Sequence, residues 1–243
     1  MPRNTGDTRP GSPQGQPLLG RVGETAADNR LFIEAVLYRY RAGIPWRDLP
    51  VRFGDWKNVH RRLRLWCESG VIKRIFLHLA ADHDNEYMMI DSTIVRAHQH
   101  SAGARKKGRG QAIGRTRGGL TTKIPAIVDA AGKAVALSLT PGQRAEAEPL
   151  LDEVDPTVFI ADKAYDADPL IEKFEERGIS PVIPSKKNRR NPRKILFSLY
   201  EKRNIIKRFF ARLKQFRGIA TRYDKLKSTF CAAVQLVSAA IGS

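Results

Sequence analysis

Two aspartates stand where a carboxylate is costly. Asp91 lies in the middle of EYMMIDSTIVRAH, an apolar, β-branched run that reads as a buried strand, with Met88 to Ile90 before it and Ile94 and Val95 after. Asp162 closes VFIAD at a strand end, where open α/β sheets place their ligand sites. A charge so placed needs a partner or a bound cation. Carboxylates brought together by neighbouring strands repel unless a divalent cation lies between them, and oxygen donors favour magnesium or manganese. That arrangement suits phosphoryl transfer with two metal ions, one activating the attacking oxygen and one stabilising the leaving oxygen. Either Asp alone also reads as a turn or cap residue, but the apolar flanks of Asp91 count against it there. His98 and His100, in HQH, have a ligand-like spacing, yet alternating histidines beyond a strand read more readily as exposed.

A second stretch bears on the same chemistry. LYEKRNIIKRFFARLKQFR predicts one continuous helix over 199–217, with Arg203, Lys207, Arg208, Arg212, Lys214 and Arg217 against one acid, Glu201. At about 100° per residue, Tyr200, Arg203, Lys207 and Lys214 fall within an arc of roughly 60°, beside the apolar face of Ile206, Phe209, Phe210 and Leu213. Glu201 lies about 120° from Lys207 around the axis and about 9 Å back along it, so it does not reach the same place. From Lys186 to Lys225 there are fifteen Lys plus Arg against two acids, a net of +13. Interleaved Tyr200, Phe209, Phe210 and Phe216 show that this segment packs as well as faces solvent.

The elements that must position these residues follow from the rest of the chain. Residues 1–24 are rich in Gly, Pro and Arg without periodicity and read as a disordered basic arm. Residues 25–84 read as a small helical domain. Thr25 and Asp28 suggest a capping box ahead of a helix that Gly43 ends. Asp55 caps a second, with Val59, Leu63 and Trp66 on its inner stripe, and Gly70 separates it from a third. Three helices with a basic middle member fit a helix-turn-helix module or a plain bundle, and Arg61 and Arg62 are its candidate DNA contacts. Residues 86–243 read as an α/β layer: EYMMIDSTIVRAH, GLTTKIPAIVD and KAVALSLTPG as a three-strand meander, then helix AEAEPLLDEV, strand VFIAD, helix ADPLIEKFEERG and strand SPVIP. The segment 101–119 reads as a Gly-rich loop with six Lys and Arg, among them Arg105, Lys106 and Lys107, and no acid, a composition suited to phosphate contact.

With 43 Lys plus Arg against 25 Asp plus Glu in 243 residues, the formal charge is +18, which points to a polyanionic partner held through counterion release. No 18-residue apolar run and no apolar signal-peptide core occur, so the reading is a soluble cytoplasmic protein and not a membrane one; the resemblance given below implies a bacterial, nucleoid-associated location. Cys67 and Cys231 are isolated and read as small buried thiols.

Several blocks carry a resemblance. MIDSTIVRAHQHSAGARKKG, GRTRGGLTTKI, FIADKAYDAD, PVIPSKKNRR and KQFRGIATRYDK resemble the blocks of bacterial insertion-sequence transposases of the DDE type, in the fifth insertion-sequence family, and the likeness runs from about Gln16 to the carboxyl terminus. It implies a ribonuclease H-like catalytic core behind the helical domain. It also implies catalysis by two Asp and one Glu with Mg2+ or Mn2+, and duplex DNA as substrate: the terminal inverted repeats of the element and its target. By that resemblance Asp91 and Asp162 are the catalytic, metal-binding aspartates, and water and then a freed 3′ hydroxyl attack phosphodiesters. The related signature of Tyr, Arg, Glu and Lys is matched by Tyr200, Arg203 and Lys214, and Lys207 occupies the Glu position. Tyr200, Arg203, Lys214, Arg217, Arg222 and Lys225 become candidate DNA contacts, and a homodimer on DNA is expected because two ends must be held together. Pro125 where relatives tend to have His, and TPGQRAEAEP without a His-Asp pair, agree with an impaired copy. The alternatives are a non-catalytic DNA-binding regulator derived from a transposase, a nuclease of the same core without strand transfer, and an RNA-associated basic protein, the last disfavoured by the apolar strands.

Overall fold

The protein is described here by a computed structural model over residues 28–102, 110–141, 148–189 and 191–242. The predicted arm at 1–24, Thr25, and the loop residues Arg105, Lys106 and Lys107 lie outside the described residues. Among those described, no helix is long and apolar enough to cross a membrane.

Three helices come first: α1 (Asn29–Ala42), α2 (Trp56–Glu68) and α3 (Val71–Ala80). Asp28 caps α1 by accepting from the Leu31 amide, and Asp55 caps α2 by accepting from the Lys57 amide. The three-stranded meander predicted next is more divided than its sequence suggests. β1 (Tyr87–Ala97) is followed by the four-residue helix α4 (Gln99–Ala102), and the second half of the basic loop folds into β2 (Gly114–Thr116), hairpinned onto β3 (Gly119–Val128). KAVALSLTPG splits into β4 (Ala134–Leu137) and β5 (Thr140–Pro141), both paired with β3. There follow α5 (Glu148–Leu151), β6 (Val158–Ile160), α6 (Asp168–Glu176), β7 (Ser180–Val182), α7 (Phe197–Glu201), α8 (Asn204–Lys214), α9 (Arg217–Ala220), β8 (Thr221–Arg222) and α10 (Lys227–Gly242).

The strands run β2-β3-β1-β6-β7, with β8 beside the far end of β1. β1 is antiparallel to β3 and parallel to β6, and β6 is parallel to β7. An antiparallel half joined to a parallel half through the first long strand is the ribonuclease H-like order. Period-2 alternation divides the core between the two faces. Met89, Val95, Ile124 and Ile160 join Phe32, Leu63, Ile72, Phe209, Phe230 and Val234, so the amino-terminal helices, α8 and α10 share one core with the sheet. On the opposite face Met88, Ile90, Ile127 and Phe159 pack with Ile171 and Phe174 of α6. β1 is buried on both faces from Tyr87 to Ile90, but beyond Ser92 only alternate residues are covered, which leaves Ile94 and Arg96 exposed. Cys67 and Cys231 are free and half-buried, and burial pushes the Cys67 thiol up to about 12.

Buried charge joins the first helix to the last part of the chain. Asp224 accepts from the Tyr40 hydroxyl at 3.1 Å and stands 3.6 Å from Arg39 Nη1, both on α1. α1 comes this close to α9 because residue 218 is Gly: a Cβ there would lie 3.0 Å from the Tyr40 ring and 3.2 Å from its backbone. Asp224→Ala strands the Arg39 charge in the core, and urea unfolding is expected to show a loss of about 3–5 kcal/mol, with Asp224→Asn, which still accepts from Tyr40, losing less.

Candidate functional site

Strand register brings the two predicted aspartates together. Met89 pairs with Ile160 across the parallel β1/β6 ladder, and Asp91 and Asp162 each stand two residues further on. Both therefore project toward the same side at the carboxyl end of the short strand β6. Asp162 begins a 3-10 turn, Lys163–Tyr165. One nitrogen answers both carboxylates: Arg203 Nη2 donates to Asp91 Oδ2 at 2.7 Å and lies 3.1 Å from Asp162 Oδ2. Arg203 is 9% exposed, and its Nε has no partner among the described atoms. The guanidinium thus stands where a divalent cation between two carboxylates would stand. Tyr165 closes the wall beside it; burial, reinforced by the Asp91 and Asp162 charges, pushes its phenol up to about 12.

The continuous helix expected over 199–217 is not formed. α7 ends at Glu201, Lys202 and Arg203 turn, and α8 starts at Asn204. The amides of Lys202, Arg203 and Ile205 each bond to the carbonyl three residues back, tightening the chain into a 3-10-like step. The break draws Arg203 inward onto the aspartates while Ile206, Phe209, Phe210 and Leu213 remain buried on α8. The single-helix arc calculated for Tyr200, Arg203, Lys207 and Lys214 therefore does not apply across the turn. Lys207 and Lys214 share α8 and are exposed, and Tyr200 belongs to α7 and is half-buried.

The segment after β7 is fastened to the loop after Asp162 by a residue that sequence reading passed over. Asp166 is buried. It accepts from the Lys186 amide at 2.9 Å, from Arg189 Nη1 at 2.7 Å and from Arg193 Nη2 at 2.6 Å, while Arg189 also pairs with Asp168. Burial raises the Asp166 carboxyl, but the Lys186 amide and the two guanidiniums outweigh it and hold the group below the ordinary carboxylate range. The available signal was a second Asp in DKAYD followed by a basic run with only scattered acids between.

The remaining candidates separate by exposure. Lys214, Arg217 and Lys225 are exposed. Arg61 is exposed and bonds to Asn58, whereas Arg62 lies over the rings of Phe32 and Trp66 at 4.5 and 5.0 Å and bonds to Asn29. Arg222, expected to contact DNA, is fully buried, which corrects that expectation. Its guanidinium donates to the carbonyls of Asp224, Gln111 and Lys225 and to Thr122 Oγ1, over the Phe230 ring, and burial lowers its pKa to about 10. His98 and His100 have ring centroids 4.6 Å apart, and among the described residues no group of three His, Cys, Asp or Glu is placed to hold a metal ion.

Comparison with known proteins adds relatives to this geometry. Residues 83–241 match the family described as Transposase DDE domain, and residues 10–76 match one described as a putative transposase of the IS4/5 family. A Brucella ovis protein described as a putative transposase for insertion sequence element IS6501 is 36% identical over 128 residues, 50% of this chain and 98% of that protein. The Sinorhizobium fredii uncharacterized protein y4sN is 54% identical over 79 residues, a match covering 32% of this chain and 63% of that protein, so the chain spans under two thirds of that relative. Among solved structures, a pre-cleavage Mos1 transpososome aligns over 94% of this chain and 79% of that one, at 9% identity and a TM-score of 0.27.

The Asp166 clamp has a defined pH signature. Because its carboxyl is held low in the folded protein, the unfolded chain takes up the proton first, so stability is present above about pH 4 and is lost as pH falls through the depressed value. Acid unfolding followed by circular dichroism is expected to show a shallower loss below about pH 4 in Asp166→Asn, from a lower plateau at neutral pH.

Proposed function

Since this chain belongs to the transposase DDE-domain family, we propose that it binds the DNA ends of an insertion sequence and that its strand-cleaving step is impaired. The observation that carries this is the Asp91–Arg203–Asp162 bridge: two carboxylates converge and no third acid joins them among the described residues; Lys207, which the resemblance aligns with the family's Glu, is exposed on α8.

The donor set fits one hard divalent cation and not a pair. Asp91 and Asp162 would hold the ion, which, when bound, activates the attacking oxygen or stabilises the leaving one. A second ion would need a third carboxylate, and a lysine ammonium offers repulsion instead. For either carboxylate to turn to another cation, Arg203 must first release it. Its freed guanidinium then becomes a donor for a backbone phosphate, which it can engage through two parallel N–H groups. Exposed Lys214, Arg217 and Lys225 supply phosphate contacts that fix the duplex without reading its sequence. A homodimer follows from the need to hold two ends, and the terminal repeats and target DNA are the substrates this reading assigns.

The test is manganese-dependent nicking of a plasmid carrying the gene's own flanking DNA. Lys207→Glu is expected to nick about a hundredfold faster or more than the unaltered protein, and Asp91→Asn in the Lys207→Glu background to abolish the gain. Full nicking by the unaltered protein would overturn the impairment. The regulator reading draws on the same bridge, since Arg203 satisfies both aspartates without metal; DNA binding unchanged by EDTA and by Asp91→Asn, with no nicking by Lys207→Glu, would favour it.

A further inference from the structure

At the far end of β1, where Ile94 and Arg96 are exposed, lies a cleft of about 470 Å³ lined in part by Arg96, His98, Gly118, Leu120 and Tyr223. That volume falls in the range of small-ligand pockets. Its floor is aromatic. Tyr223 stacks on His98, with centroids 4.7 Å apart and planes 27° from parallel, and His100 meets the other ring edge-on at 4.6 Å.

An exposed Tyr on a protein surface ordinarily carries no message, but this one is held from both sides. Residue 222 before it is the fully buried Arg, tied to three carbonyls and a hydroxyl, and residue 224 after it is the Asp that bonds to Tyr40 and pairs with Arg39. Backbone pairing of Thr221 and Arg222 with Arg96 and Ala97, and the His98 amide donating to the Arg222 carbonyl at 2.9 Å, lock the two rings in register. The His98 Nδ1 accepts from the His100 amide at 3.3 Å. Tyr223 is nevertheless 43% exposed. Two buried charges thus immobilise one aromatic ring at the surface, in a cleft that the exposed Arg96 also lines.

We propose that this cleft takes an unpaired nucleobase of the bound DNA, which stacks on the Tyr223–His98 platform while Arg96 contacts the adjoining phosphate. The proposal rests on the DNA-binding reading given above. Ring faces receive any base, so the chemistry selects an unstacked nucleotide and not a sequence. A paired base has both faces stacked on its neighbours, so ring stacking here selects an unpaired one. The platform lies about seven residues beyond Asp91 along β1, or roughly 23 Å, and strand alternation puts Arg96 and His98 on the face opposite Asp91, so it is a DNA contact separate from the aspartates.

The experiment compares two DNAs at one low salt concentration: a blunt duplex, and the same duplex with a short pyrimidine overhang carrying one 2-aminopurine. The unaltered protein is expected to bind the overhang DNA about tenfold more tightly and to quench the 2-aminopurine fluorescence. Tyr223→Ala is expected to lose both effects with blunt-duplex affinity unchanged, and Tyr223→Phe to keep both. Equal affinity for the two DNAs, or quenching that survives Tyr223→Ala, would overturn the platform while leaving DNA binding intact. An equal loss of both affinities in Tyr223→Ala would assign Tyr223 a structural role and overturn it as well. Failure to bind either DNA would sink the DNA-binding reading and this inference together.

Discussion

Asp91 and Asp162 are set side by side by the pairing of β1 with β6, and left alone they repel in a setting that screens charge far less than water does. The Arg203 guanidinium resolves that conflict by meeting both with one nitrogen. Much of the surrounding architecture serves to deliver it. α7 must stop, the chain must tighten through Lys202 and Arg203, and α8 must restart at an angle that still buries Ile206, Phe209, Phe210 and Leu213. A partly exposed ion pair contributes little net stability, so its presence here fits a place that receives a cation of one kind or another.

The same economy of buried charge recurs twice. Asp166 gathers an amide and two guanidiniums of the 186–193 segment onto the turn that carries Asp162. Asp224 gathers Arg39 and Tyr40 onto the strand end that carries Arg222. In each case a carboxylate deep in the fold restrains part of a very basic chain, so that some cations become internal struts while Lys207, Lys214, Arg217 and Lys225 stay exposed. A net charge of +18 therefore overstates the cationic surface, because Arg39, Arg203 and Arg222 are spent inside.

What could be read from residues alone was whatever local pattern decides. The apolar run around Asp91, the strand before Asp162 and the alternation of helices and strands after it name their elements, since period and composition act within a few residues. Asp28, Asp55, Gly43 and Gly70 likewise mark helix ends by their own chemistry. The break at Lys202 and Arg203 was not legible, because propensity there favours an unbroken helix and the force that ends it comes from carboxylates more than a hundred positions upstream and forty upstream. Arg222 was misread for a similar reason. A cation in a basic run looks solvated, and only the meeting of Gln111, Thr122 and Phe230 around it shows otherwise. The role of Asp166 depends on β7 returning beside β6, which no local pattern announces.

The claim on which the account turns is that Arg203 competes with metal for the two aspartates, and manganese binding followed by electron paramagnetic resonance on the protein alone tests it most directly. The account expects weak binding to the unaltered protein, binding about tenfold or more tighter in Arg203→Gln, and loss of that gain when Asp91→Asn is added. Manganese bound as tightly by the unaltered protein as by Arg203→Gln would show that the guanidinium does not hold the site, and would contradict it.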